Sequence, residues 1–453
     1  MHRNLTPDLR NKLLERMLSG TLLLVAASGM MAQNTDQGSY QGPGISSPGV
    51  GDIGRRSGEQ VNLRYYLGVS GIADSSIAPV TTDSKGNFIH LPYLYGIEAG
   101  GGVYGVHSWK RSQLALDYAG SYTRYFNYDA YNSTNHSLGL GYTDQISKRL
   151  RLDLRESAGS LANGTGQVAN AASNELDSSF TPVTRLFDTR TYYLQSSAYA
   201  TYLQSARMSY TVGAGAFLQN LKSQGLSNGW GYNLDASMMR RMSKSSTLGG
   251  NYAYSHFEFP GYSSKSDSHT VHGLYATGLG RFWTLSIEAG ITVTHVDSVF
   301  NVAFLNNNAP VLVPVGISVQ NIYPSGTVTL KRQFQRASLG FNYYRGVNSG
   351  NGTFTTARLD NVGAFISYTG LRKLNLGADG GYYTLKSIGQ SLGSFAQYSA
   401  GGGISYTLGR DIHLTLRYDF RDMQVDSSNY KQRGSRATLG FNFSPGSLPL
   451  SLW

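Results

Sequence analysis

The 453-residue sequence contains no cysteine. This excludes a disulfide framework, any thiolate metal site and a lipid-modified amino-terminal cysteine. Charged residues are scarce at 14%, and the apolar share of 40% is below that of an ordinary water-soluble globule. Beyond the amino-terminal stretch no segment has the eighteen or more consecutive apolar residues of a membrane-spanning helix. Nor does a convincing helical apolar period appear, so no helical layer is available to cover a sheet. The nine histidines are scattered. His269 and His272, three apart, fall on opposite faces of a strand and cannot share a metal. No Ser–His–acid set can be located by spacing. The sequence therefore reads as non-enzymatic, without cofactor or nucleic-acid partner.

What is abundant is glycine, with 55 residues, and tyrosine, with 32. In "HSLGLGYTDQISKRLRLDLRES" (136–157) Leu138, Leu140 and Tyr142 alternate with small or polar residues, and Leu150, Leu152 and Leu154 do the same after a short basic turn. Side chains alternate across a strand, so this is a hairpin with one apolar and one polar face. The pattern recurs almost to the end of the chain. Leu63–Val69, Leu114–Tyr118, Tyr192–Tyr202, Met208–Leu218, Trp283–Val293, Ile412–Phe420 and Ala437–Phe443 are its clearest instances.

Residues 1–32 have the form of a cleaved secretory signal. Arg3, Arg10, Lys12 and Arg16 precede the short apolar stretch "LSGTLLLVAASGMMA", with a cut expected after Ala32. A retained anchor is the alternative reading. Removal of this stretch lowers the formal charge from +11 to +9. Residues 33–59, rich in Gly, Ser and Pro, read as a flexible lead-in.

Connections between the stripes alternate in length. Tight basic turns occur at Lys110-Arg111, Lys148-Arg149, Ala206-Arg207, Arg240–Lys244, Gly280-Arg281, Arg332–Arg336, Arg372-Lys373 and Gly409-Arg410. Longer loops are expected near 70–92, 127–135, 160–190, 219–228, 259–269, 300–321, 346–357, 386–394 and 422–434. Together they join about eighteen strands (16–18), with 93–106 and 246–259 alternating poorly. This predicts an all-β fold: a single transmembrane antiparallel up-and-down β-barrel over 60–444, with short periplasmic turns, long external loops and a carboxy-terminal tail at 445–453. Stripes of about ten residues suit a tilted crossing of the hydrocarbon layer, and closure leaves no backbone group facing lipid unpaired. A soluble propeller, sandwich or solenoid explains the alternation but not the long–short rhythm, nor the aromatic residues at stripe ends.

On these features the chain resembles the broad class of bacterial outer-membrane β-barrels, and is porin-like in strand number. The resemblance implies an outer membrane of Gram-negative type, with membrane lipid and the barrel-insertion machinery as partners, and allows a homotrimer. Barrels of this class usually end on an aromatic residue read during insertion; here Phe443 and Trp453 both qualify.

Strand parity places Arg64, Arg151, Arg155, Arg417 and Arg436, with Glu98, Asp117, Asp153, Asp235, Glu288, Asp379 and Asp419, on the polar, water-facing side. Such a mixed wall either sets up a field across the lumen or pairs across strands and braces the barrel. Fifteen Lys and Arg residues in the short turns form either a solvated rim or an anion-attracting mouth. The third long loop offers Glu175, Asp177, Arg185, Asp188 and Arg190 as constriction candidates, because the third external loop narrows the pore in the porins that the chain resembles. The stretch 300–321 reads as two strands extended into a protruding hairpin, with Pro310 and Pro314 arguing instead for an irregular loop. Tyr66, Tyr193, Tyr199, Tyr344 and Tyr383 are candidates for stacking on sugar rings. The leading expectation is a porin-like channel for passive diffusion of small hydrophilic solutes. The alternatives are an exit conduit for a secreted polysaccharide and a structural or adhesive barrel.

Overall fold

Alternating Tyr, Val, Leu and Thr against Gly and Ser favours extended chain over helix, and the chain folds as successive hairpins. The computed structural model describes residues 61–75, 93–126, 128–161, 190–222, 228–280, 282–306, 309–349, 355–389, 393–426 and 430–444. The expected signal, lead-in and tail lie outside these residues. The first strands are β1 (Val61–Asp74), β2 (Leu94–Ser108), β3 (Ser112–Tyr125), β4 (Ser133–Ser147), β5 (Leu150–Leu161) and β6 (Thr191–Ser205). Next come β7 (Met208–Leu221), β8 (Gly229–Arg241), β9 (Ser246–Phe259), β10 (Ser264–Leu279), β11 (Trp283–Asn306) and β12 (Ala309–Gln333). The last are β13 (Ala337–Asn348), β14 (Ala357–Tyr368), β15 (Leu374–Ser387), β16 (Ser394–Thr407), β17 (Ile412–Val425) and β18 (Tyr430–Phe443).

Every strand pairs antiparallel with its chain neighbours, and β1 pairs with both β2 and β18, from Leu67↔Phe443 to Asp74↔Arg436. The sheet is thus a closed cylinder of 18 strands. One end carries only short turns. At the β10–β11 turn Gly280 adopts φ 72°, a left-handed conformation that a side chain would strain. At the other end the strands run further than the sequence suggested. Asp74 belongs to β1 rather than to a loop, and most of 259–269, 300–321 and 422–434 is strand.

The outward positions are apolar. Leu67 is 57% and Val69 59% exposed, whereas Tyr66 between them is 3% exposed on the inner face. Exposed apolar area on this scale is tenable where lipid, not water, lies against it. Aromatic rings mark both borders of the apolar face. Tyr202 stacks on Tyr210 at the short-turn end, where Arg332 also lies 4.8 Å from the Trp283 ring. At the loop end Tyr232 and Tyr254 pack together, and the Tyr252 hydroxyl is 2.9 Å from His269 Nδ1. An exception to the apolar exterior is Glu156, midway along β5 with the parity of Leu152 and Leu154, which accepts a 2.9 Å hydrogen bond from Ser196 on β6.

The cylinder is uneven at one seam. Strands β12 and β13 stop pairing at Gly326↔Arg345, while β12 continues along β11 to Asn306↔Ala309. Beyond Ser298, the last β11 residue paired with β10, the two strands stand clear as a protruding hairpin. Pro310, Pro314 and Pro324 sit on the β12 edge that faces no partner, where a missing N–H breaks no ladder. The extended-hairpin reading of 300–321 therefore describes this region, and an irregular loop does not.

Candidate functional site: the barrel lumen

The inward positions divide the lumen into two walls. One runs from β15 through β18 and β1 to β3 and carries charge. Arg417 on β17 reaches across β16 to Asp379 on β15, with contacts of 3.0 and 3.3 Å, and also binds Asp419 at 2.5 and 2.9 Å. The reach is open because the β16 residue at this level is Gly401. A Cβ there would lie 2.5 Å from Asp419 and 2.6 Å from Arg417. Nearby, Arg436 on β18 donates to Glu98 on β2 at 2.8 Å and stands 3.9 Å from Asp74 on β1. Thr123 and Tyr125 on β3 donate to Glu98 and Asp74 at 3.0 and 3.1 Å. These bidentate and multiply bonded contacts hold positive and negative groups in one neutralising network.

The opposite wall, β10 to β12, lies about half-way round the cylinder and is built of hydroxyls. Ser264 pairs with Ser298 at 2.8 Å, Ser268 with Thr294 at 3.0 Å and Thr270 with Thr292 at 2.9 Å. Thr292 donates to Ser325 at 2.7 Å, and Thr294 bonds the Tyr323 hydroxyl at 2.9 Å. Glu288 and His272, 3.8 Å apart, sit deeper on this wall, with His272 Nε2 2.8 Å from Ser325.

Between the walls, part of the chain turns into the lumen. Past the seam, Gly346, Val347 and Asn348 are buried on both faces. Thr355 and Thr356, just before β14, cross to β10: Thr356 donates to Ser266 at 2.8 Å, and Ser264 donates to Thr355 at 3.4 Å. Ile388, after β15, donates its N–H to the Thr356 carbonyl at 2.9 Å and packs with Val296, Phe257 and Phe217. Further apolar groups line the loop end of the interior: Leu359, Leu385, Phe395 and Met423 in one cluster, Ile72, Leu94 and Tyr125 in another.

A closed cylinder with an apolar outer face, aromatic borders and a polar inner wall decides the class. The chain is an outer-membrane β-barrel. No protein-family model matches it, and no curated protein matches it in sequence. Solved structures of similar shape include Pseudomonas aeruginosa OccK2 (OpdF) in complex with glucuronate, at 11% identity, 85% coverage of this chain, 99% of that chain and a TM-score of 0.39. A BenF-like porin from Pseudomonas fluorescens Pf-5 aligns at 11% identity over 84% of this chain and 99% of its own, with a TM-score of 0.40. The siderophore receptor PiuA from Acinetobacter baumannii aligns at 7% identity over 85% and 82%, with a TM-score of 0.42. Overlaps this loose, spread over receptors and porins alike, do not bear on function.

The remaining residues singled out in the sequence take these places. Arg151 binds Asp153 at 2.8 Å, and Thr143 donates to the same carboxylate at 2.7 Å. Arg155 shares their parity on β5, Arg64 and Asp117 share that of Tyr66 and Thr123, and Asp235 lies over Gly213 beside Tyr199. Of the constriction candidates, Arg190 is described and donates to Thr134 at 3.3 Å. Glu175, Asp177, Arg185 and Asp188 lie outside the described residues. The tyrosines lie flat rather than projecting: Tyr66 over Gly102, Tyr193 over Gly159, Tyr199 over Gly213 and Tyr344 over Gly346. Tyr66 and Tyr383 are buried, the latter edge-on to Phe395. Sequence reasoning passed over Asp74, assigned to a loop, and Arg421, whose parity with Arg417 and Asp419 was there to read. It also passed over the inward-turned Thr355–Thr356 segment, for which no sequence pattern exists.

Proposed function

We propose that the protein is a passive channel for small hydrophilic solutes across an outer membrane, narrowed towards its loop end. The observation that carries this reading is the inner wall itself. Charged and hydroxyl side chains line the cylinder from β15 round to β12, and a purely structural barrel has no need of so much hydrated interior. The paired state of Arg417 and Arg436 favours weak ion selectivity over a field of a single sign. The inward segments of 346–348, 355–356 and 388 set a small solute size. Residues 1–32 act as the export signal that delivers the chain.

Planar-bilayer recording tests the reading. Purified protein is expected to give discrete current steps in potassium chloride, and a salt gradient is expected to shift the reversal potential only slightly. Absence of steps from protein that inserts as a folded barrel overturns it.

A further inference from the structure

The hydroxyl wall has one position whose bonding differs from the rest. Along β10 the inward hydroxyls of Ser264, Ser268 and Thr270 each meet a hydroxyl directly opposite on β11. Ser266 does not, because the residue opposite it is Val296. Its side chain is nevertheless fully buried, and its partner is Thr356, which belongs to no neighbouring strand. The position therefore combines a hydroxyl that must be satisfied from the lumen side with an apolar surface, Val296, that is covered from the lumen side by Ile388 and Gly389. Hydroxyl pairs flank it above and below, and each hydroxyl oxygen retains acceptor capacity beyond the bond it makes. No permanently charged side chain shares the three inward levels from Ser264 to Ser268 on β10 and β11.

Hydroxyl groups alternating with a C–H surface are the chemistry of a polyol or sugar ring. We propose that the Ser264–Ser266–Ser268 face of the lumen is a binding site for a neutral polyhydroxylated solute, and that Thr355, Thr356 and Ile388 hold its place in this structure. The wall offers donors and acceptors but no countercharge, so it discriminates against ions and zwitterions that would lose hydration without a paired charge. A solute hydroxyl replaces the Thr356 hydroxyl on Ser266, and a ring C–H face replaces Ile388 on Val296. This inference rests on the channel reading and names the solute class that the channel favours.

Proteoliposome swelling separates the two claims. The full-length mature barrel is reconstituted, and entry of ribose is compared with entry of proline, a compact zwitterion, against protein-free vesicles. Ribose is expected to enter several times faster. Ser266→Ala is expected to lower the ribose-to-proline ratio roughly fivefold, the scale of one net hydrogen bond, and Thr356→Val to raise ribose entry by freeing the site. As a second measurement on the unaltered protein, ribose in the bath is expected to reduce single-channel current in potassium chloride, and proline to leave it unchanged. Equal swelling in both solutes, an unchanged ratio in a folded Ser266→Ala barrel, or equal current block overturns the polyol site while leaving the channel standing. No swelling and no current with any solute overturns the channel.

Discussion

The two walls of the lumen solve the same problem by different means. From β15 to β3 the side chains are long, and Arg417 and Arg436 span from strand to strand to reach their carboxylates. From β10 to β12 they are short, and each hydroxyl reaches only the residue beside it. A charge inside a barrel costs much unless neutralised, so the charged wall is an interdependent network in which one deletion strands several partners. A hydroxyl costs less to bury and is satisfied by one bond, so the hydroxyl wall tolerates individual losses. Polarity alone thus does not describe a pore lining. What differs is how far the loss of one group propagates.

The largest expected effect sharpens this contrast. Arg436→Ala leaves buried Asp74 and part-buried Glu98 without their cation and is expected to cost about 3 kcal/mol. Urea unfolding, followed by loss of the compact electrophoretic form, measures it. Thr292→Val on the other wall removes two hydroxyl contacts and is expected to cost about 1 kcal/mol. Equal costs would break the comparison. Next in size, Arg417→Gln releases Asp379 and Asp419 and is expected to turn a nearly unselective channel several-fold towards cations, read from reversal potentials. Gly401→Ala is expected to move selectivity in the same direction but less, because the flexible Arg417 head can shift away from the new methyl group. Glu156→Gln lies outside both walls and is expected to leave conductance unchanged, with stability altered by less than about 1 kcal/mol. A conductance change there would show that the outer face communicates with the lumen.

Much of the fold was legible because lipid and water impose opposite demands on alternate residues. That constraint writes itself into Leu150, Leu152 and Leu154 against Arg151, Asp153 and Arg155. It is faint in β2 and β9, where glycines such as Gly96, Gly100 and Gly249 occupy inward positions and leave the face unmarked. Parity also yields the strand face of Arg417 and Asp379, but not that they meet across an intervening strand, since this depends on Gly401 being empty. The inward apolar clusters went unread for a further reason. Leu359, Leu385 and Phe395 look like any other strand residues, and what makes them inner groups is chain entering from beyond the strand ends.

The seam at Gly326 and Arg345 gives the inward segment a handedness. The β13–β14 hairpin is fastened to β15 along its full length, to Ala357↔Ser387, and unfastened from β12 above the seam. It is hung like a door, with hinges on the β15 jamb and a latch of two threonines on β10. A push from outside would swing it in one sense only, about the β15 side, uncovering the β10 side first.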